Sequence, residues 1–366
     1  MNDEKLYQVA LKFIHGIGDI NAKQLISYCG SAKAIFNNPK SKLQKIPGIG
    51  IKTIESILSS QVLHNAEKEI EKCLSSNVDL FFYTDPGYPS RLKLVNDSPI
   101  ILFSKGNIDF NKQKVVGIVG TRKATEYGKS VTESIVKDLV PHDAIIVSGL
   151  AYGIDITAHR AAVDSNLPTV AVLAGGLDKI YPDVHKKYAN EIMGNGAIVS
   201  EKFLGTTPEA HFFPARNRII AGMSDAVIVV EAAVKGGALI TGEIAYSYNR
   251  DVFAVPGDID HKYSEGCNKL ISKQKANIYS GIADLEYLLN WDKEERIAAK
   301  PVLDIDKFDG DTRKIIEVLL EFKDGLQLDE LCWKSQVSIN QAVSLLLNLE
   351  FDGLVRSLPG KRYKLS

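Results

Sequence analysis

The sequence predicts an α/β protein built around a doubly wound, mostly parallel sheet. Between residues 114 and 280, short runs rich in Val and Ile alternate with segments of helical periodicity. Such runs are typical of strands buried on both faces, and their alternation with helices is typical of a parallel sheet. The predicted strands are Val115–Val119, Ala144–Val147, Thr169–Leu173, Ala197–Ser200, Val227–Glu231 and Val252–Val255. This pattern indicates a Rossmann-like core.

Composition divides the 366 residues into four segments. We predict a helical, helix-hairpin-helix-like domain over residues 1–78, the Rossmann-like core over 79–290, a charged linker over 291–308, and a winged-helix-like domain over 309–366. In the first segment, residues 14–26 and 46–57 each place a Gly-Ile-Gly turn before an amphipathic helix. The amides of such turns can hold a DNA phosphate. Simple helix packing is favoured over DNA binding, because the region is not clearly basic.

The last segment predicts three helices followed by a hairpin. The helices are Thr312–Phe322, Leu328–Lys334 and Ile339–Asp352, and the hairpin turns at Pro359-Gly360. Cations lie in the hairpin, whereas the helices carry several carboxylates. A helix that reads a DNA groove is normally basic, so a protein contact is favoured slightly over an accessory DNA contact.

Bulk properties restrict the class of protein. The formal net charge is -1, so any nucleic-acid contact must come from local clusters of cations. The four cysteines are scattered without a C-x-x-C pair, which argues against a zinc site or a disulfide framework and fits a reducing cytoplasm. Neither a signal peptide nor a membrane-spanning apolar run is visible, so we expect a cytoplasmic protein without metal or cofactor.

Candidate binding residues follow the predicted strands, because doubly wound sheets bind ligands at the carboxyl ends of their strands. Amides beside a guanidinium or ammonium group suit a phosphate, and an exposed aromatic ring suits a stacked base. The candidates in these turns are Gly120, Thr121, Arg122, Lys123, Ser148, Gly149, Gly153, Gly176, Lys179, Tyr181, Gly236 and Gly237.

A further candidate is the cluster Arg216, Asn217 and Arg218, which follows Pro214 in the first turn of a predicted helix. Cations at a helix N-terminus oppose the helix dipole, so stability alone does not favour them. The cluster therefore predicts either a bound anion or a buried carboxylate that pairs with an arginine.

Catalytic signatures are few. The chain has no Walker A motif, no H-E-x-x-H and no G-x-S-x-G, and we predict no catalytic residue. Asp155 and His159 are four residues apart on one predicted helix, where they can meet and orient that helix.

Together these blocks closely resemble the DNA-processing protein family DprA, also called Smf. The resemblance rests on the motifs Val119-Gly120-Thr121-Arg122, Ser148–Asp155 with Ala158-His159, Gly176-Leu177-Asp178 with Tyr181-Pro182, Ser200-Glu201, Phe213–Ile220, Val230-Glu231-Ala232 and Val255-Pro256-Gly257. Their order and spacing from about 80 to 285 are specific to the family. At Lys235–Ala238 the chain departs slightly from the family pattern, which leaves contacts there open.

The resemblance implies a core that binds single-stranded DNA, forms a homodimer and loads the RecA recombinase, thereby protecting incoming strands during natural transformation. It implies that Arg122 anchors a phosphate, and that Lys179 and Tyr181 lie in the loop that completes the pocket.

Two other functions stay open at this stage. A nucleotide-binding enzyme of the Rossmann class, similar to a phosphoribosyl hydrolase, would need a carboxylate at the glycosidic carbon, which Glu231 or Glu243 could supply. A purely structural adaptor would leave the glycine-rich strand ends without an explanation.

Overall fold

A nine-stranded sheet lies at the centre of the first of two structural units, as far as the described residues go. The structure, a computed structural model, describes residues 3–112, 114–291, 308–322, 325–358 and 362–365. The first unit ends at Leu289 and the second begins at Asn290.

The strands of this sheet are short, and the strands between its edges are almost entirely buried. They are β1 Asp79–Phe82, β2 Ile101–Gly106, β3 Val115–Val119, β4 Ile145–Ser148, β5 Thr169–Val172, β6 Gly196–Ser200, β7 Ala226–Val229, β8 Asp251–Ala254 and β9 Asn277–Ile278. Their order is β1-β2-β6-β5-β4-β3-β7-β8-β9. The pairs from β6 through β9 are parallel, whereas β1 and β2 add an antiparallel edge.

The fold class predicted from the sequence is confirmed, and each of the six predicted strands occurs with slightly different bounds. Three predicted strands end one or two residues too late, at Leu173, Glu231 and Val255. The apolar pattern continues past the last paired residue, because the strand ends are themselves buried in the core.

Helices cover both faces of the sheet. They are α1 Asp3–Ala10, α2 Asp19–Cys29, α3 Ala32–Asn37, α4 Lys40–Leu43, α5 Ile51–Ile57, α6 Ser60–Ser75, α7 Ser90–Lys93, α8 Glu126–Asp138, α9 Ile154–Asp164, α10 Lys186–Ile192, α11 Phe212–Met223, α12 Gly237–Ser247, α13 Glu265–Ser272 and α14 Ile282–Leu289.

Successive strand residues enter different hydrophobic clusters. In β6, Ile198 packs in one cluster while Ala197 and Val199 pack in the other, as the two-residue period of a strand requires. The first cluster also contains the buried side chains of α1 to α6. The N-terminal helices therefore share a core with one face of the sheet.

Polar contacts strengthen this attachment. Asp19 at the start of α2 accepts a hydrogen bond from the Ile100 amide (2.9 Å), and Lys23 donates to the Ser98 hydroxyl (2.6 Å). The ring of Phe13 stacks on Phe203, with 4.3 Å between centroids.

The second unit has the three helices and the antiparallel strand pair of a winged helix, as predicted, and a third strand joins that pair. Its described elements are α15 Gly310–Glu321, β10 Leu326–Gln327, α16 Leu328–Ser335, α17 Ile339–Phe351, β11 Val355–Leu358 and β12 Arg362–Leu365, with the sheet order β10-β12-β11. Strand β10 was not predicted. The linker predicted at 291–308 lies outside the described residues apart from its two ends, as does the hairpin tip at 359–361.

Candidate nucleic-acid interface

A cavity lies where the strand order of the sheet reverses direction. From β3 the chain builds β4, β5 and β6 on one side and later β7, β8 and β9 on the other. At such a switch point the turns leave their strands in opposite directions and open a crevice for ligands. Here the crevice has a volume of about 430 Å³. It is lined by the turns after β3 and β7 and by the N-terminal ends of α11 and α12.

Two cations from the turn after β3 line this cavity. Arg122 and Lys123 are both exposed, beside Gly120 and Thr121. The guanidinium of Arg122 lies over the ring of Phe213, 5.2 Å from its centroid. Among the described residues, no carboxylate forms an ion pair with Arg122. Its guanidinium is therefore held in place by the ring while its hydrogen-bond donors are available to an anion.

The N-terminus of α12 opens into the same cavity. Gly236 precedes the helix, and no side chain accepts a hydrogen bond from its first turn. Gly236, Gly237 and Ala238 line the cavity, and a Cβ added at Gly237 would meet no atom within 4 Å. The first amide groups of a helix lack partners inside the helix and attract anions. This end of the cavity therefore offers backbone donors opposite Arg122.

Arg216 forms a buried wall of the cavity. Its Nη1 donates to the carbonyl oxygens of Gly149 (2.6 Å) and Val172, and its Nε donates to Asn217 Oδ1 (3.1 Å). Asn217 in turn donates to the Gly237 carbonyl at 3.3 Å. Burial lowers the pKa of Arg216 to about 10, so the side chain keeps its charge at neutral pH. The charge contributes to the potential in the cavity, while the Nε and Nη1 donors of Arg216 already have partners.

A buried carboxylate lies beside that charge. Asp155, at the start of α9, lines the cavity and accepts a hydrogen bond from the Ala151 amide (3.4 Å). Burial raises the pKa of Asp155, and the nearby Arg216 opposes this effect. The expected pairing with His159 is not the contact observed, because His159 Nδ1 hydrogen bonds with Thr169 Oγ1 at 2.8 Å.

A second, smaller hollow adjoins the cavity. It is lined by Gly149, Lys179, Tyr181, Phe213 and Arg216, so Phe213 and Arg216 belong to both hollows. The ring of Tyr181 is 51% exposed and meets Phe213 edge-on, with 5.7 Å between centroids. Arg122 and Tyr181 thus contact the same aromatic ring. The structure brings together the turns after β3, β4 and β5, as predicted from their positions in the sequence.

The loop between β6 and α11 supports the Lys179–Tyr181 turn. The Gly176 amide donates to the Thr206 carbonyl (2.9 Å), and the Gly205 amide donates to Asp178 Oδ1 (2.7 Å). The same loop contains Phe203, which stacks on Phe13 of the N-terminal helices. The position of Tyr181 therefore depends on residues distant in the sequence.

Other predicted site residues have structural contacts instead. Arg218 donates from Nη2 to Glu201 (2.5 Å) and Asp19 (3.3 Å), which is the buried-carboxylate alternative of the sequence analysis. The buried Ser148 hydroxyl donates to the Ile118 carbonyl at 2.6 Å. These two side chains are consequently engaged within the protein.

Two predicted glycines serve close packing. Gly153 has a φ of +77°, and a Cβ there would lie 2.1 Å from the Thr121 carbonyl oxygen. A Cβ at Gly176 would lie 2.5 Å from the Phe203 carbonyl oxygen. Both positions shape the site without facing either hollow.

Lys262 was missed by the sequence analysis. It lies exposed in the loop after β8 and lines the main cavity. Its loop follows the sixth predicted strand, and the rule that ligands bind at the carboxyl ends of strands applies to that loop as well.

The carboxylates considered for an enzyme are engaged away from the cavity. Glu231 is buried and accepts hydrogen bonds from the Thr125 amide (3.0 Å) and hydroxyl (2.5 Å). Glu243 pairs with Lys275 at 3.1 Å. Within the described parts of the chain, no cluster of three or more His, Cys, Asp or Glu side chains could hold a metal ion. No helix in those parts is long and apolar enough to cross a membrane.

The chain is similar to known proteins in sequence and in structure. A family model described as DNA recombination-mediator protein A matches residues 79–290, and a DprA winged helix domain model matches residues 299–361. The protein Smf of Synechocystis is 33% identical over 99% of both chains. The DNA processing protein DprA of Streptococcus pneumoniae is 41% identical over 57% of this chain and 74% of that protein.

Solved structures of DprA proteins also match this chain. The crystal structure of DprA from Streptococcus pneumoniae matches with a TM-score of 0.67 and 31% identity, over 78% of this chain and 97% of that one. A DprA structure from Helicobacter pylori, solved to give insight into its single-stranded DNA binding mode, matches with a TM-score of 0.53 and 30% identity. That match covers 59% of this chain and 96% of the other.

Proposed function

This chain belongs to the DprA (Smf) family, and on that premise we propose that it is a single-stranded DNA-binding mediator. The observation that carries the proposal is the exposed Arg122, without a carboxylate partner among the described residues, facing the switch-point cavity. A cation beside uncapped helix amides is a suitable site for a backbone phosphate.

The strand would bind along the two adjoining hollows. Arg122, Lys123 and the amides of Gly236 and Gly237 would contact phosphates, with Lys262 adding a further cation. A base would stack on the exposed ring of Tyr181, with Lys179 near the following phosphate. Such contacts are tolerant of sequence, since every base has an aromatic face. Neutralised phosphates release counterions, so affinity should fall as salt rises.

The proposed activity is binding without catalysis. Glu231 and Glu243, the carboxylates of the enzyme alternative, have partners elsewhere, and no observation favours a reaction in the cavity. Release of free base from nucleoside monophosphates by the purified protein would contradict this part of the proposal.

In the cell we propose that the bound strand is protected in the cytoplasm and passed to the RecA recombinase during natural transformation and recombination. The protein would act as a homodimer. RecA-dependent strand exchange on single strands coated with single-strand binding protein tests the transfer to RecA, with faster RecA assembly expected.

Sedimentation equilibrium tests the homodimer, and a monomer at micromolar concentration would overturn it.

The decisive experiment for DNA binding is fluorescence anisotropy with labelled oligo-dT and a duplex of equal length across a salt series. Replacing Arg122 by Ala should weaken oligo-dT binding by about 1.5–3 kcal/mol, as expected for a hydrogen bond to a charged group. Arg160→Ala is a matched control, because Arg160 also lies over an aromatic ring (Tyr188, 5.6 Å) but lines neither hollow. Equal oligo-dT affinities of Arg122→Ala and wild type would remove the central claim.

A further inference from the structure

The N-terminal helices contain a stretch of unusual charge. Between Asp19 and Glu55 the chain has six lysines and no acidic residue, in a protein whose formal net charge is -1. Two of these lysines contact the rest of the protein, since Lys23 binds Ser98 and the Lys33 amide binds Glu4. The other four, Lys40, Lys42, Lys45 and Lys52, form the group that we term the lysine patch.

The lysine patch faces solvent along α4, the following turn and the start of α5. All four side chains are exposed, and no ion pair involves them among the described residues. Leu43 and Ile46, between them, are buried and anchor the segment in the N-terminal core. The backbone of this segment is thereby fixed, while its cations project outward without internal partners.

The two Gly-Ile-Gly turns have different surroundings. The turn at Gly16 and Gly18 leads into α2, whose Asp19 binds Ile100 and Arg218 in the sheet region. The turn at Gly48 and Gly50 is exposed, and a Cβ at either glycine would meet no atom within 4 Å. The glycines of both turns are exposed, but only the turn at Gly48 and Gly50 lies between the cations of the lysine patch. The turn at Gly16 and Gly18 is instead followed directly by Asp19, which binds the sheet region.

We propose that the lysine patch is a second DNA site that binds the sugar-phosphate backbone of a duplex. Four cations around an open turn provide contacts to phosphates, which position DNA without reading its sequence. The segment from Lys40 to Lys52 contains no aromatic side chain and no arginine. It therefore lacks the stacking platform that binds single-stranded bases, in contrast to the Tyr181 hollow.

The test replaces the four lysines of the patch by Gln in the full-length protein. Labelled duplex and oligo-dT are titrated across a salt series. Duplex affinity should fall by about tenfold or more at 0.1 M salt, and the slope of log affinity against log salt should decrease by about 4. Oligo-dT affinity should be retained. Arg122→Ala should show the opposite pattern, which separates this site from the proposed single-strand site.

The control removes the same charge elsewhere. Lys68, Lys137, Lys187 and Lys273 are exposed and line neither hollow, so their combined replacement by Gln should leave duplex binding nearly unchanged. A double variant, Lys42→Gln with Lys45→Gln, should reduce the slope by about half as much. Absence of duplex binding by the wild-type protein would overturn the proposal. An equal loss of duplex affinity in the patch variant and the control variant would also overturn it. The same holds if the patch variant loses duplex affinity and oligo-dT affinity equally.

Discussion

At the scale of single residues, Arg216 has the most constrained environment of the site. Its guanidinium is buried and shared between the carbonyl oxygens of Gly149 and Val172. The sequence predicts Arg216 in the first turn of a helix, where a cation needs a negative partner. This placement is wrong, because α11 begins at Phe212 and Arg216 is already in its second turn. In the structure, backbone carbonyls and Asp155 supply that partner, and Arg216 becomes part of the cavity wall. Arg122, Lys123 and Lys262 are left as the exposed cations that line the cavity among the described residues.

Gly149 provides the space that Arg216 requires. A Cβ at this position would lie 2.4 Å from the guanidinium nitrogens, so Gly149→Ala should displace the side chain. We expect the free energy of unfolding to fall by about 1–3 kcal/mol, which is the usual cost of overpacking a core. Gly237→Ala is the control, because its Cβ has open space and alanine favours a helix. Chemical denaturation that gives both variants the same stability would contradict this account.

His159 predicts a pH dependence of stability. Burial, followed by the nearby Arg216 and His185, lowers the pKa of His159 to about 3. In the unfolded chain the imidazole takes up a proton near pH 6.5. The unfolded state thus binds more protons between these values, and the free energy of unfolding falls as the pH drops below about 6.5.

The slope of the free energy of unfolding against pH should approach about 1.4 kcal/mol per pH unit in this range. Urea denaturation at pH 7, 6 and 5 measures it, with His159→Gln for comparison, since glutamine does not titrate. A variant that retains the full wild-type slope would show that other groups cause the pH dependence.

At the scale of elements, the turn after β5 depends on a neighbouring loop. Asp178 accepts the Gly205 amide and so fixes the turn that carries Lys179 and Tyr181. Asp178→Ala should weaken oligo-dT binding by about 1 kcal/mol through a less ordered turn, with little change in melting temperature. Asp183→Ala, also exposed but without this contact, serves as the control. Equal affinities of the two variants would refute the supporting role.

Helix α17 shows why the second unit is interpreted as a protein-contact module. Its exposed side includes Ile339, Val343, Leu347 and Phe351, the last 82% exposed, and the helix contains no cation. A helix that enters a DNA groove normally carries basic side chains. This apolar surface without cations favours the protein contact that the sequence analysis ranked first.

At the scale of the whole molecule, the proposed single-strand site lies entirely in the first unit. The residues of both hollows fall between Val119 and Tyr263, before the boundary at Leu289. A chain ending at Trp291 should therefore keep its affinity for oligo-dT in the anisotropy assay. A loss of roughly tenfold or more, with folding verified by circular dichroism, would show that the second unit contributes directly to binding.

Much of the architecture follows from the sequence alone. The six core strands, the glycine-rich turns at their ends and the helices of the winged unit are encoded by periodicity and turn residues within short segments. Arg122 and Tyr181 could be chosen because strand carboxyl ends gather at one edge of a doubly wound sheet. Local patterns are sufficient for such predictions.

The tertiary structure decided which of the chosen residues face a ligand. Arg218 is bound by Asp19, 199 positions away, and Glu231 is bound by Thr125, 106 positions away. The structure also decided that Asp19, directly after the Gly16–Gly18 turn, binds the sheet region, whereas the four lysines around the Gly48–Gly50 turn face solvent. Each of these outcomes depends on burial and on partners distant in the chain. The local periodicity of the sequence encodes neither the burial nor the partners.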